Sequence, residues 1–226
     1  MIRPLSLTAA LALILSACGE SPPANTAAAA NETGPTANSA APAPVPDTAK
    51  VRLETDAGNI VLQLDGRHAP ITTANFLAYV DQHRFDGITF YRASRTPRTP
   101  AYGFIQGGIR RSAMLGLPPI AHEPTSRTGL HHGDGTISMA RLEPGSAMGD
   151  FFILSGAEPS MDAGHRRPSS GNNDTEGYAA FGRVVEGMDV VRRILAAPTV
   201  ENAGAGAMRG QMLAQPVRIV RATRVE

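Results

Sequence analysis

Downstream of residue 50 the chain is broken into short alternating runs, and no other feature restricts its fold so tightly. Val51 to Thr55 and Asn59 to Asp65 alternate apolar and polar side chains around Asp56-Ala57-Gly58, the pattern of two strands joined by a tight turn. Further runs follow at Ile88 to Ala93, Gly103 to Gln106, Thr136 to Ala140, Phe151 to Ser155 and Ala179 to Val185. The closing PVRIVRATRVE alternates again and is placed to pair back with the first hairpin. Two stretches carry helical spacing instead. TTANFLAYVDQ after Pro70 puts Phe76, Leu77 and Val80 on one face, with threonines available to cap its start. Residues 187 to 197 do the same with Met188, Val191, Ile194 and Leu195. Many short strands with two helices predict an all-β barrel capped at its ends. Arg110 to Asp134 and Glu158 to Gly177 show neither period, and irregular stretches of that length in a compact domain are usually functional.

The barrel is not expected to begin at Met1. MIRPLSLTAALALILSAC has an early arginine, an apolar run from Leu7 to Leu15 and small residues before a cysteine, the composition of a secretory signal. The run falls short of the about 20 apolar residues that a membrane-spanning helix needs. Leu15-Ser16-Ala17-Cys18 resembles the lipobox of bacterial lipoproteins, whose cysteine is diacylated and becomes the mature N-terminus. The plainer alternative is a cleaved signal with a chance cysteine. Residues 18 to 49 are dominated by Ala, Pro, Asn and Thr, which cannot bury enough apolar area to offset their ordering entropy. A coil of about 30 residues reaches ~30 Å. The expected organisation is a lipoprotein signal peptide at 1–17, a disordered Ala/Pro-rich linker at 18–49 and one domain at 50–226.

Several function classes drop out on composition. The net charge of +1 offers no electrostatic case for nucleic acid. Cys18 is the single cysteine of the chain, so the domain has neither a disulfide nor a thiolate metal site. His68, His83, His122, His131, His132 and His165 show no metal-ligand spacing, so neither metal nor other cofactor is expected. The pair in LHHGDG reads as part of a turn. GAGAMRG at 204–210 superficially resembles a nucleotide fingerprint, but its spacing is wrong and no strand-helix unit surrounds it.

Candidate functional residues begin with Arg92, in FYRASRTPRTPAYGFIQGGI. A guanidinium beside an apolar strand is either a solvated edge residue or faces a site. Phe151 and Phe152 are strand neighbours and face opposite sides, so one of them is core. Met139 and Met161 are core filler or walls of a pocket, and Gln106 on its own could cap a loop.

Taken together the motifs resemble the cyclophilin family of peptidyl-prolyl isomerases. APITTANFLAYV, ITFYR, FIQGG, LPPIAHEPTSRTGLHHGDGTISMAR, DFFILSGAEPSMD, YAAFGRVVEGMDVV and VRIVRA occur in the family's order over nearly all of residues 50 to 226. The resemblance implies a closed eight-stranded antiparallel barrel capped by two helices, and a reaction that rotates an Xaa-Pro amide. It matches Arg92 to the catalytic arginine, Gln106 to the glutamine that orients it, and Phe152 to the floor of the proline pocket. Phe104, Met139 or Met161, and Tyr178 become candidate walls. Ala140 and Arg141 fall where substrate backbone would run.

Three departures stand out. SRTPRTPAYG is longer than the family's corresponding segment and has Gly103 where an aromatic pocket residue falls, with Tyr102 one position away as its substitute. Asp150 replaces a glutamine and is expected to attract Arg92. The tryptophan of some members is absent, with Ser160 near its place. The polar insert GHRRPSSGNNDTEG is expected to rim the groove.

The resemblance implies a cofactor-free, monomeric isomerase acting on proline-containing segments of unfolded envelope proteins. The lipobox implies attachment to the membrane on its periplasmic side, and Gly19-Glu20 after the cysteine favour the outer membrane. The rival reading is a catalytically weak peptide-binding or chaperone module of the same fold, impaired by Asp150 and the altered 94–103 loop.

Overall fold

In the computed structural model, which describes residues 45–165 and 175–226, the elements run β1 (Thr48–Thr55), β2 (Gly58–Asp65), α1 (Pro70–Asp81), β3 (Thr89–Thr96), β4 (Thr99–Gly108), α2 (Thr125–Thr128), β5 (Thr136–Met139), β6 (Phe151–Ser155), β7 (Ala179–Glu186), α3 (Met188–Ala196), β8 (Thr199–Val200) and β9 (Met212–Val225). Eight strands close a ring in the order β1-β2-β7-β5-β6-β4-β3-β9, with β9 returning to β1. Every pairing in it is antiparallel. The closed barrel of the family is therefore present, and the last strand does pair with the first hairpin. The two-residue β8 is an addition, paired to β9 outside the ring. The one-turn α2 lies in a stretch expected to be irregular. The signal peptide, most of the linker and residues 166–174 of the insert lie outside the described residues.

The domain starts a little earlier than composition suggests. Thr48 and Ala49 pair with Asp65 and Leu64, and the Arg67 amide donates to the Asp47 carbonyl, so the end of the expected linker is part of the barrel. The first hairpin turns through Asp56-Ala57, where the Thr55 hydroxyl donates to the Gly58 carbonyl and accepts from the Ala57 amide. That two-residue connection sets the register of both strands.

Helix α1 starts with Pro70 in its first turn, a position where the missing N–H costs nothing. Its cap differs from the expected threonine. The buried Glu123 carboxylate accepts from the Ile71 amide, the Thr72 amide at 2.7 Å and the Thr72 hydroxyl at 2.6 Å. An acid from 51 residues away satisfies the helix's unpaired donors and complements its positive end. Phe76, Leu77 and Val80 are buried as expected, and so is Tyr79.

The interior is an aromatic cluster. Phe76 meets Phe85, Phe151 and Phe181 at centroid distances of 4.9, 5.3 and 5.3 Å, and Phe90 meets Phe151 at 5.8 Å. Helix α3 adds Val190, Val191, Ile194 and Leu195 to this core, with Met188 packed at its margin.

Candidate active site on the outer face of the barrel

Strand register assembles the site. Phe151 points into the barrel, so Phe152 points out. Phe152 is paired with Gln106 on one side and Ser138 on the other, and Gln106 is paired with Arg92. Residues directly opposite in a sheet share a face. Arg92, Gln106, Phe152 and Ser138 therefore form one row across β3, β4, β6 and β5.

The arginine is held flat. Its Nη1 donates to Gln106 Oε1 at 2.9 Å, its Nε to Gln211 Oε1 at 2.9 Å and its Nη2 to the Ala207 carbonyl at 3.5 Å. The guanidinium lies 4.9 Å from the centroid of the Phe104 ring, a cation–π distance. Gln106 is only 9% exposed, which fixes its amide as an orienting group. Ala207 and Gln211 belong to the loop around GAGAMRG and escaped the sequence reading. They reach the site because β9 runs beside β3, placing Met212 opposite Arg92.

Phe152 forms a second apolar cluster with Leu154 and Met161, and Phe104, Ala140 and Tyr178 pack against it. Its ring is 5.3 Å from both Phe104 and Tyr178, edge-on to the latter. Of the two methionines, Met161 is the one beside Phe152. Met139 sits opposite Phe151 and joins the interior core, so it is no pocket wall. Arg141 donates to the carbonyls of Gly177 and Leu142 and covers Tyr178 at 5.3 Å, latching that wall in place. Ala140 donates its amide to the Asp150 carbonyl.

Two expectations at the departures need correction. Asp150 has partners beyond the one expected. Its carboxylate accepts from the Tyr91 hydroxyl at 3.0 Å and from the amides of Arg110 and Arg111. The cause is a bulge: Phe90 faces Gly107 and Arg92 faces Gln106, leaving Tyr91 as the extra residue, and bulges re-aim side chains beside active sites. Burial first, and then the neighbouring Asp150 carboxylate, push the Tyr91 phenol far above its usual range. Arg110 and Arg111 both have positive φ, 50° and 58°, a conformation uncommon outside glycine that turns both amides toward Asp150.

Tyr102 does not substitute for the aromatic expected at 103. It is 51% exposed, and its ring lies over Gly156, where an added Cβ would sit 2.6 Å from the ring. An aromatic at position 103 is itself excluded. Gly103 has φ of 141°, and a Cβ there would meet the Ser94 carbonyl oxygen at 2.0 Å. The long SRTPRTPAYG segment is the far end of the β3–β4 hairpin, where Thr96 faces Thr99 across Pro97-Arg98 after a break in register. Arg95 ties this end down by donating to the carbonyls of Leu195 and Ala197 at the end of α3.

A closed antiparallel barrel thus holds a guanidinium beside an aromatic floor on its outer face, hydrogen-bond donors next to an apolar socket. The family model described as cyclophilin type peptidyl-prolyl cis-trans isomerase/CLD matches residues 50–224. Among curated relatives, the peptidyl-prolyl cis-trans isomerase cyp18 of Streptomyces antibioticus is 37% identical over 155 residues, covering 68% of this chain and 87% of that protein. Peptidyl-prolyl cis-trans isomerase A of Dickeya dadantii is 39% identical over 158 residues, covering 68% and 74%. A crystal structure of a Cryptosporidium parvum cyclophilin type isomerase in the presence of the dipeptide Ala-Pro shares the fold, with a TM-score of 0.60 and 18% identity over 78% of this chain and 99% of that one. The chain belongs to the cyclophilin family, and its activity is peptidyl-prolyl cis-trans isomerisation.

Proposed function

We propose that Arg92, Gln106 and Phe152 carry this activity, and that the enzyme works on proline-containing segments of unfolded or flexible envelope proteins. Rotation about an Xaa-Pro amide must overcome a resonance barrier of roughly 18–20 kcal/mol. The proline ring seats on Phe152 between Phe104, Met161 and Tyr178, while Arg92 donates to the substrate carbonyl and favours the twisted amide whose nitrogen has regained its lone pair. A charge-assisted hydrogen bond of about 1.5–3 kcal/mol, realised fully in the twisted state, is worth roughly ten- to hundredfold in rate. The planar guanidinium suits this task better than a mobile ammonium. Gln106 and Gln211 hold its plane. The observation that carries the assignment is the register placing Arg92, Gln106 and Phe152 side by side on three adjacent strands.

The test is cis-trans exchange of an Xaa-Pro peptide, followed by NMR, with a chain starting at Val45 and with its Arg92→Ala variant. The expected result is a loss of about 100-fold in acceleration. Equal acceleration by both proteins would remove Arg92 from the mechanism.

The setting of the enzyme follows from the N-terminal sequence. Lipidation of Cys18 anchors a bacterial lipoprotein to the envelope on its periplasmic side, with Gly19-Glu20 favouring the outer membrane. We read the barrel as a monomer, a reading supported by a ring whose strands are paired on both sides. A Cys18→Ser variant should leave the membrane fraction; one that stayed bound would exclude the anchor.

A further inference from the structure

The histidine pair of LHHGDG has no part in the site described so far, yet it lies directly behind it. The His132 side chain is 0% exposed. Its Nδ1 is 2.6 Å from Asp162 Oδ1, its Nε2 is 3.0 Å from the Ser138 hydroxyl, and its ring stacks on Phe152 at 6.1 Å and 15°. His131 reaches the other oxygen of the same carboxylate at 3.0 Å. Acid, imidazole and hydroxyl in line match the order of a nucleophilic relay. Ser138 has 0% exposure, however, and a hydroxyl that no substrate reaches is not a nucleophile.

The cluster is a clamp. The His132 amide donates to Asp162 Oδ1 at 3.0 Å, and the His132 carbonyl accepts from the Glu158 amide at 2.9 Å. The turn from Glu158 to Asp162 is thus stitched to His132 by backbone and side chain together. That turn carries Met161, whose carbonyl in turn accepts from the Tyr178 amide. Two of the three walls of the pocket, Met161 and Tyr178, therefore hang on a residue that also backs its floor. A carboxylate only accepts, so Asp162 calls for a proton on Nδ1 of His132. Burial alone would raise the Asp162 carboxyl, but hydrogen bonds from His132 and His131 outweigh it and hold the group below its usual value.

We propose that His132, oriented by Asp162, is a positioning residue for the proline pocket: it fixes Phe152 from behind and ties Met161 and Tyr178 to the same framework. This rests on the reading of Phe152 as the pocket floor. Asp162 is its partner in the role, and neither residue touches substrate.

The test uses the full chain and three substitutions. His132→Ala removes stack and clamp. His132→Phe keeps an aromatic ring against Phe152 without the bonds. His132→Asn keeps a donor toward Asp162 without the ring. Measured at least about 20 °C below each variant's own melting temperature, where nearly all molecules are folded, His132→Ala should raise KM for an Ala-Xaa-Pro peptide about tenfold with kcat within about twofold, ~1.4 kcal/mol of substrate binding. His132→Asn and His132→Phe should each recover part of the loss. A folded His132→Ala with wild-type KM overturns the proposal, and so does a drop in kcat alone. Should His132→Ala fail to fold, Asp162→Asn serves with the same KM readout. Independently of turnover, 15N shifts of the His132 ring in the unsubstituted protein should show Nδ1 protonated; a ring protonated at Nε2 alone overturns the clamp. Arg92→Ala leaves that tautomer unchanged, so failure of the catalytic assignment and failure of this one are read separately.

Discussion

Phe151 and Phe152 are neighbours in the chain and belong to two differently built regions. Phe151 enters an interior shared by aromatic and aliphatic residues from nearly every strand and from α1 and α3. Phe152 belongs to a cluster of three buried residues on the outer face, backed by one imidazole and walled by segments that hydrogen bonds and Arg141 hold in place. The interior is redundant, so no single contact decides its shape. The outer cluster has one residue per task, and its geometry depends on polar bonds whose angles matter. Stability and activity should therefore separate along the two faces of β6.

The sharpest way to break that contrast is the pair of alanine variants. Phe151→Ala should lower unfolding free energy by about 3–5 kcal/mol, as large-to-small changes in closed cores do, and leave the rate per folded molecule within about threefold, a change of only ~0.7 kcal/mol in the barrier. Phe152→Ala should cost about 2 kcal/mol in urea unfolding while raising KM far more than Phe151→Ala does. Similar losses of both quantities in both variants would abolish the distinction.

Next in size is the cap on α1. Glu123→Ala removes the acceptor for two amides and a hydroxyl and should destabilise by about 1–2 kcal/mol, without altering KM. Arg95→Ala, which frees the hairpin end from α3, should cost about 1 kcal/mol by thermal melting. A larger change in KM than in stability would mean that the hairpin end shapes the groove directly.

The smallest effect is acid dependence. Asp162 has a folded value below its unfolded one, so its contribution is complete above the unfolded value and disappears as pH falls through the folded value. The stability gap between the natural protein and Asp162→Asn should be full at neutral pH and narrow below about pH 4, where the unfolded carboxyl protonates. A gap that stayed constant into strong acid would show that the clamp does not depend on charge.

Alternation alone located most of the barrel strands, because a half-buried strand must place every second side chain inside. It also showed that Phe151 and Phe152 face opposite ways, but not which one faces the core, since that depends on the register of β6 against β4 and β5. Met139 was ambiguous for the same reason. Glu123, Gln211 and Asp162 were invisible as partners, because each acts on a residue between 30 and 119 positions away and carries no local pattern. Asp150 was misjudged because an unbulged β3 would not single out Tyr91. The bulge brings a phenol to the aspartate at 3.0 Å, as close as the Arg110 amide. That pairing bears on the Asp150 half of the weak-module reading, and the altered hairpin end around Gly103 is its other half.

Strand β9 pairs with β1 along Ile219 to Val225 and with β3 at Met212, Val217 and Arg218. One strand, far along the chain from both, thus supplies the missing neighbour of β1 and of β3. Until it arrives, a growing chain presents two open strand edges of the kind that invite pairing with other chains, and most of its contacts span long stretches of sequence. Closure therefore waits for residues 212–225, and a chain stopped short of Met212 would be an aggregation hazard rather than a smaller enzyme.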